Sequence, residues 1–313
     1  DSKADAVKFQ LFNPDEIVSD KAPLAEYQER SGEENQQEML RRLTLPLEDY
    51  KKLKEYSEEK GLIFITTPFD AESAEFLATL GVEALKIPSG EITNLPFLER
   101  VAALHIFTII STGMSTVEEV REAVAPFENH NTSYALLHCV SSYPAPHNQI
   151  NLRAMETLAK EFPVAIGYSD HTEGIAVAVT SVQQGAKILE KHFTLDRTLI
   201  GPDHAASLEP DELKQMVSII RDPHLLKTFP QVEEALGSKE KRCQPCEENV
   251  RQIARRSIVS LAAIPAGTVV TKEMIAIKRP GTGIAPRFFE ETIGKKAKEA
   301  IPAGTPITSD MLQ

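Results

Sequence analysis

The sequence has no apolar run approaching the ~20 residues that a membrane-spanning helix needs. It shows no signal-peptide pattern either. Its three cysteines are too few for a disulfide scaffold and fit a chain kept in a reducing cytoplasm. Cations are in deficit, 34 Lys and Arg against 46 Asp and Glu, and the net charge of -12 excludes non-specific nucleic-acid binding. No G-x-G-x-x-G follows any strand-like run, which argues against a dinucleotide fold. What remains is ordinary globular composition, 42% hydrophobic and 26% charged over 313 residues, with enough apolar mass for a large core. An acidic whole can still hold a basic pocket, so an anionic small substrate stays open.

Up to about residue 235, short β-rich runs alternate with longer amphipathic stretches. The β-like runs lie at 6–9, 62–66, 84–87, 107–111, 134–140, 164–169 and 186–193. Helical patterns fall between them at 47–60, 71–80, 116–125, 151–161 and 210–221, with Ser115, Asn151 and Asp170 in positions suited to capping. This alternation predicts a parallel α/β sheet. A (β/α)₈ (TIM) barrel needs eight strands, so seven runs predict a barrel whose first strand and helix are missing from this sequence. An open doubly wound sheet is the alternative.

Residues 222–250 read as a connector, broken by Pro223, Pro230, Gly237 and Pro245 and by the charged run 239–242. Beyond it, 263–274 (AIPAGTVVTKEM) and 300–311 (AIPAGTPITSDM) match at eight of twelve positions, 37 residues apart. Two copies predict a small pseudo-symmetric β domain, not a solenoid. The expected division is a barrel domain over 1–235, a linker over 236–252 and a terminal domain over 253–313.

Polar groups gather at the C-terminal end of every strand-like run, where barrel enzymes carry their active sites. The set comprises Lys8 and Gln10; Thr66 and Thr67; Lys86, Ser89 and Glu91; Ser111 and Thr112; His138, Ser141 and Tyr143; Ser169, Asp170 and His171; Glu190 and His192. One Ser or Thr after a strand is ordinarily a turn or cap residue; seven polar strand ends in succession predict a shared pocket. Lys8 and Lys86 sit within apolar runs. Converging on one mouth, they would hold a phosphate or carboxylate together with Ser89, Ser111 and Ser169. A Schiff-base lysine is the competing reading. His171 and His192 follow consecutive strands and would offer two imidazoles to an open divalent-metal site, oriented by Asp170, Glu190 or a backbone carbonyl. One packed and one acid–base histidine is the blander reading. His138, inside an apolar run, reads as a satisfied core histidine. Cys243 and Cys246 form a lone C-x-x-C with no further ligands, and no metal role is expected.

Taken together, the strings 6–10 (AVKFQ), 111–114 (STGM), 138–144 (HCVSSYP), 169–172 (SDHT), 190–194 (EKHFT), 201–204 (GPDH) and 278–283 (KRPGTG) closely resemble bacterial sialic acid synthases, along essentially the whole chain and in order. The terminal repeat domain resembles the antifreeze-like (SAF) module of that family. The resemblance implies condensation of phosphoenolpyruvate with an N-acyl mannosamine-type sugar in the cytoplasm, giving a nonulosonic acid and phosphate. It implies Lys8, Thr67, Lys86, Ser89, Ser111 and Ser169 around phosphoenolpyruvate. It implies His171 and His192 on a divalent metal, usually Mn²⁺, with Mg²⁺ or Co²⁺ possible. It places Gln10, Glu91, Tyr143 and Asp203 around the sugar or metal-bound water. It implies catalytic roles for Lys8, Glu91, Asp203 and Arg279, the last reaching a neighbouring subunit's site in a domain-swapped homodimer. Ser141, where N-acetylneuraminate synthases carry Asn, resembles the legionaminate or spore-polysaccharide branch. A sugar-acid aldolase and a carbohydrate- or ice-binding module are the rival classes.

Overall fold

The computed structural model describes every residue except 21, 26, 27, 30, 31, 223, 226–228, 230 and 231. Pro223 and Pro230, expected as connector breaks, lie outside the described residues. Seven parallel strands form one sheet in sequential order: β1 (Ala6–Leu11), β2 (Ile63–Pro68), β3 (Ala84–Ile87), β4 (Phe107–Ser111), β5 (Tyr134–Cys139), β6 (Ile166–Asp170) and β7 (Leu189–Lys191). The order never reverses, so there is no switch point of the doubly wound kind. The sheet curls until its edges face each other, and Lys8 on β1 lies 3.4 Å from Glu190 on β7. Among the described residues this is a curled, barrel-type sheet of seven strands, and no strand ladder joins β1 to β7.

The side-chain period of two explains how a lysine comes to lie inside. In β3, Leu85 and Ile87 join the large core cluster, while Lys86 between them faces the opposite side. Helices α3 (Leu47–Glu59), α4 (Ala71–Leu80), α5 (Leu95–Ala102), α6 (Val117–Asn129), α7 (Ala154–Glu161), α8 (Ala176–Gln183) and α9 (Pro210–Arg221) follow the strands. Short α1 (Pro14–Ile17) and α2 (Gln36–Leu43) occupy the segment after β1; the sequence pattern did not reveal them.

The capping expectations need correction. α6 is capped by Thr116 in a reciprocal box with Glu119, while the Ser115 hydroxyl donates to Gly113 O. Asn151 caps no helix. Its Oδ1 accepts from the Ser238 N–H at 2.9 Å, and a Cβ on Gly237 would come within 2.1 Å of the same atom. Asp170 ends β6, accepts from the Thr172 N–H at 2.9 Å and pairs with Lys191 at 2.7 Å.

The stretch expected as a linker is laid against the barrel. It contains α10 (Glu233–Leu236), a 3₁₀ turn (Pro245–Glu247) and α11 (Glu248–Ala254). The Leu152 N–H donates to Ala235 O at 2.8 Å, and Lys241 Nζ donates to Ser115 O at 2.7 Å. In the terminal domain, β8 (Ser257–Ser260) pairs with antiparallel β9 (Ile275–Lys278). The repeats meet at equivalent residues: Ile264 and Ile301 exchange two backbone hydrogen bonds of 2.8 Å. Both lie in the domain's own core with Ile258, Val270, Ile275, Ala297, Ile307 and Leu312.

This domain docks on the barrel of its own chain. Arg256 pairs with Glu91 at 2.7 Å, Arg255 with Glu119 at 2.6 Å and Arg287 with Glu122 at 2.6 Å. The Arg279 N–H donates to Ile17 O at 2.9 Å, and the Ser19 N–H donates to Arg279 O at 3.1 Å. No helix among the described residues is long and apolar enough to cross a membrane.

Candidate active site

A cavity of about 420 Å³ opens at the C-terminal ends of the strands. Of the expected site residues, Lys8, Gln10, Thr67, Lys86, Ser89, Ser111, Ser141, Tyr143, Ser169, His171, His192, Asp203 and Arg279 line it. Strand register brings several of them together. Gln10 stands opposite Thr67, and Ser169 opposite Glu190, whose carboxylate accepts from Ser169 Oγ at 2.9 Å.

Lys86 is 2% exposed and donates to Ser111 Oγ at 2.7 Å and Ile87 O at 3.1 Å. Burial lowers its pKa to about 8, opposed by Glu190, which lies 3.8 Å away. Glu190 takes both lysines as partners. Burial alone would raise its pKa, but the charges of Lys8 and Lys86 prevail and hold it well below the usual carboxylate range. The two lysines therefore stay on one side of the cavity with a carboxylate already between them, a position that suits an anionic ligand. Thr67 Oγ1 is buried there without a hydrogen-bond partner among the described residues. Gly113 allows the β4 and β5 loops to close up, because a Cβ would lie 2.3 Å from Ser141 Oγ and 2.7 Å from Ser89 Oγ. Its N–H donates to Ser89 Oγ at 2.9 Å.

The two imidazoles stand with ring centroids 5.3 Å apart, and the Tyr143 ring lies 4.1 Å from His171. His171 Nδ1 donates to Val140 O at 2.8 Å, which leaves Nε2 as a lone-pair donor. Burial lowers the His171 pKa. Burial also takes His192 down to about 4, with His171 and Lys8 acting in the same direction and Asp203, 3.6 Å from Nδ1, opposing. Burial favours the neutral form of both rings, and the free Nε2 of His171 beside the His192 ring fits the donor set of a divalent transition metal. Among the described residues no third His, Cys, Asp or Glu completes a protein cage. Such a site would leave positions open to substrate oxygens or water.

The structure changes some of these expectations. Glu91 does not reach the cavity: it is fully buried, accepting from Arg256 Nε and, at 2.9 Å, from Asn94 Nδ2, because the terminal domain carries an arginine to it. Arg279 lines the cavity together with the barrel of its own chain, its guanidinium 5.4 Å from the Phe69 ring. His138 is a core residue, as expected: it is buried, and Nε2 donates to Ile150 O at 2.8 Å. Thr66, Thr112 and Asp170 also stay off the cavity lining.

Other lining residues carried no sequence signal. Phe12, Met39, Leu40, Leu43, Leu45 and Phe69 form an apolar wall. The amphipathic spacing of 39, 40 and 43 on α2 was the available clue. Glu247 touches two site loops from more than 100 residues away, and nothing local marks it.

Residues 1–241 match the NeuB family and residues 255–313 the SAF domain. An N,N'-diacetyllegionaminic acid synthase of Legionella pneumophila is 45% identical over 97% of this chain and 85% of its own length. A spore coat polysaccharide biosynthesis protein, SpsE, of Bacillus subtilis is 40% identical over 98% of this chain and 85% of its own length. The crystal structure of spsE from Bacillus subtilis superposes with a TM-score of 0.82 at 36% identity, covering 100% of this chain and 87% of that one. The N-acetylneuraminic acid synthetase structure from Leptospira borgpetersenii, in complex with citrate, gives a TM-score of 0.63 at 35% identity, covering 80% of each chain. Fold, cavity and these matches agree that the chain belongs to the NeuB family and ends in a SAF domain.

Proposed function

We propose that this chain condenses phosphoenolpyruvate with an N-acyl mannosamine-type sugar to form a nonulosonic acid and phosphate. The observation that carries this is the convergence of Lys8 and Lys86 with the Ser111 and Ser169 hydroxyls on one cavity that also holds the imidazoles of His171 and His192. The lysines and hydroxyls bind the phosphate and carboxylate of phosphoenolpyruvate. A divalent cation held by His171 and His192, Mn²⁺ with Mg²⁺ or Co²⁺ as substitutes, would supply Lewis-acid stabilisation at the aldehyde oxygen.

The C2–C3 π electrons attack the aldehyde carbon, forming the C–C bond while the C=O π bond opens, and the aldehyde oxygen takes a proton from solvent to become a hydroxyl. C2, now oxocarbenium-like, takes a water. Asp203 at the mouth is placed to accept that water's proton. Glu190, whose proton affinity the lysines depress, is the poorer base. The tetrahedral intermediate then breaks the C2–O bond to phosphate as its C2 hydroxyl becomes the carbonyl and gives its proton to the leaving phosphate, while the two lysines hold the departing charge. Arg279 covers the mouth and offers a planar fork to sugar hydroxyl or acyl oxygens. Holding both substrates in one cavity supplies much of the rate.

The apolar wall of Met39, Leu40, Leu43 and Leu45 supports a sugar rich in acyl methyl groups and deoxygenated carbons over a phosphorylated one. The name of the Legionella relative points the same way. The spore coat relative favours a second reading, the same condensation on a different surface-polysaccharide sugar. Both lysines are engaged with Glu190, which supports charge recognition over imine formation. Three free thiols support a cytoplasmic location. Exchange of the terminal domains between two copies would use these same contacts to build a domain-swapped homodimer; the placement of Arg279 supports closure within one chain. The test is phosphate release from phosphoenolpyruvate with Mn²⁺ and a panel of mannosamine derivatives. A diacetamido-trideoxy sugar should be turned over best and a 6-phosphate poorly. No phosphate release with any amino sugar would overturn the reading.

A further inference from the structure

Buried Lys241, Glu247 and Arg255 converge on one place outside the reacting centre. Glu247, in the 3₁₀ turn before α11, is fully buried. Its Oε1 accepts from the Met114 N–H at 2.8 Å and from the Ser141 N–H at 2.7 Å. Its Oε2 accepts from the Gln244 N–H at 2.8 Å. One carboxylate thus ties the loop after β4 to the loop after β5, and both Met114 and Ser141 line the cavity.

The loop after β4 needs this support. Met114 has φ +59°, a left-handed conformation that a side chain disfavours. Its peptide groups are held on both sides: the N–H by Glu247 and the carbonyl by Arg255 Nη2 at 2.8 Å. The next carbonyl, Ser115 O, accepts from buried Lys241 Nζ at 2.7 Å. Three side chains from residues 241–255 therefore clamp residues 114–115. Three residues earlier is Ser111, whose hydroxyl accepts from Lys86. Between them Gly113 meets Ser89, and the Ser89, Ser111 and Lys86 groups are the anion-binding side of the cavity.

We propose that Glu247 is a positioning residue for phosphoenolpyruvate: it holds the Met114 and Ser141 loops at the separation that presents Ser89, Ser111 and Lys86 to the anion. It touches no substrate. The proposal rests on the phosphoenolpyruvate reading of the cavity. Its physical basis is that a buried carboxylate accepting several N–H groups makes strong charge-assisted bonds, and that small misplacements of a binding group are costly.

The test compares Glu247→Ala and Glu247→Gln with the wild-type enzyme. Gln offers one oxygen that can still accept from both loop amides, so it is the conservative rescue. Glu247→Ala should raise the KM for phosphoenolpyruvate by about tenfold or more, while the KM for the amino sugar moves by less than about twofold. Glu247→Gln should recover most of the loss. Amide exchange should accelerate at Met114 and Ser141 in the Ala variant, while Ile110 and Leu136 in the neighbouring strands stay protected. If the Ala variant does not fold, Glu247→Asp, which withdraws the carboxylate by one methylene, is read by the same criteria. An unchanged KM for phosphoenolpyruvate, or an equal loss for both substrates, overturns the proposal. Wild-type enzyme that turns over no phosphoenolpyruvate overturns the functional reading instead, and the exchange pattern still reports whether Glu247 holds the loops.

Discussion

Lys8 Nζ and Glu190 Oε2 meet at 3.4 Å although they stand on the first and the seventh strands of the sheet. The contact joins the two edges of the curl at the cavity and gives Lys8 and Lys86 a shared counter-ion. In the proposed reaction, phosphoenolpyruvate would compete with that carboxylate for the same two ammonium groups.

Lys8→Ala and Lys86→Ala should each lower kcat/KM for phosphoenolpyruvate by more than about tenfold, roughly 1.4 kcal/mol. Steady-state kinetics at fixed amino sugar checks this, and an unchanged dependence on phosphoenolpyruvate in both variants refutes it.

The pH dependence follows from Lys86. Burial brings its pKa down to about 8, so the free enzyme loses this charge as the pH rises through that value. Only the protonated form attracts the anion. In the wild type, kcat/KM for phosphoenolpyruvate should therefore fall above about pH 8. Lys86→Arg, whose guanidinium stays charged, should lose that falling limb even if its maximum is lower. A profile flat to pH 9.5 in the wild type would contradict the assignment, a range chosen as roughly one unit and more above the midpoint.

His171 and His192 should retain Mn²⁺ in equilibrium dialysis of the wild-type protein, and replacement of both by Ala should abolish retention. Chelation should stop phosphate release, and added Mn²⁺ should restore it. Full turnover in chelator with no bound metal would sink the metal assignment.

Glu91 and Arg256 form a buried pair between barrel and terminal domain, with side chains 0% and 3% exposed. Glu91→Ala leaves a buried guanidinium without its carboxylate and should cost about 3–5 kcal/mol. Thermal or urea unfolding of the full chain reads this. A loss of activity at unchanged stability would return Glu91 to the catalytic set.

Arg279 should close the cavity within one chain. Mixing Arg279→Ala protein with Lys8→Ala protein and allowing exchange should restore no activity, because every site keeps one defect. Recovery of activity would show that the terminal domains are traded between copies and that each site draws on both chains.

The order of strands and most helices was legible in the sequence, because hydrophobic period and turn residues are local signals. The runs at 84–87 and 107–111 coincide with β3 and β4, and the helical patterns at 71–80 and 210–221 with α4 and α9. The shared pocket was legible too, since parallel strands all end on one face. So were Lys8, Lys86, His171 and His192, which are incongruous in apolar or strand-end positions. The terminal repeat was visible as a pattern; that its copies pair at Ile264 and Ile301 was not.

Only the tertiary structure decided between roles for residues of the same type. Glu91, Glu190 and Glu247 look alike along the chain. Glu91 binds an arginine 165 residues away, Glu190 binds two lysines across the curled sheet, and Glu247 binds backbone amides 106 and 133 residues earlier. Composition and periodicity determine which segments pair and which faces are buried, because those depend on near neighbours. A buried charge is decided by whichever distant group satisfies it, and that partner exists only once the chain has folded.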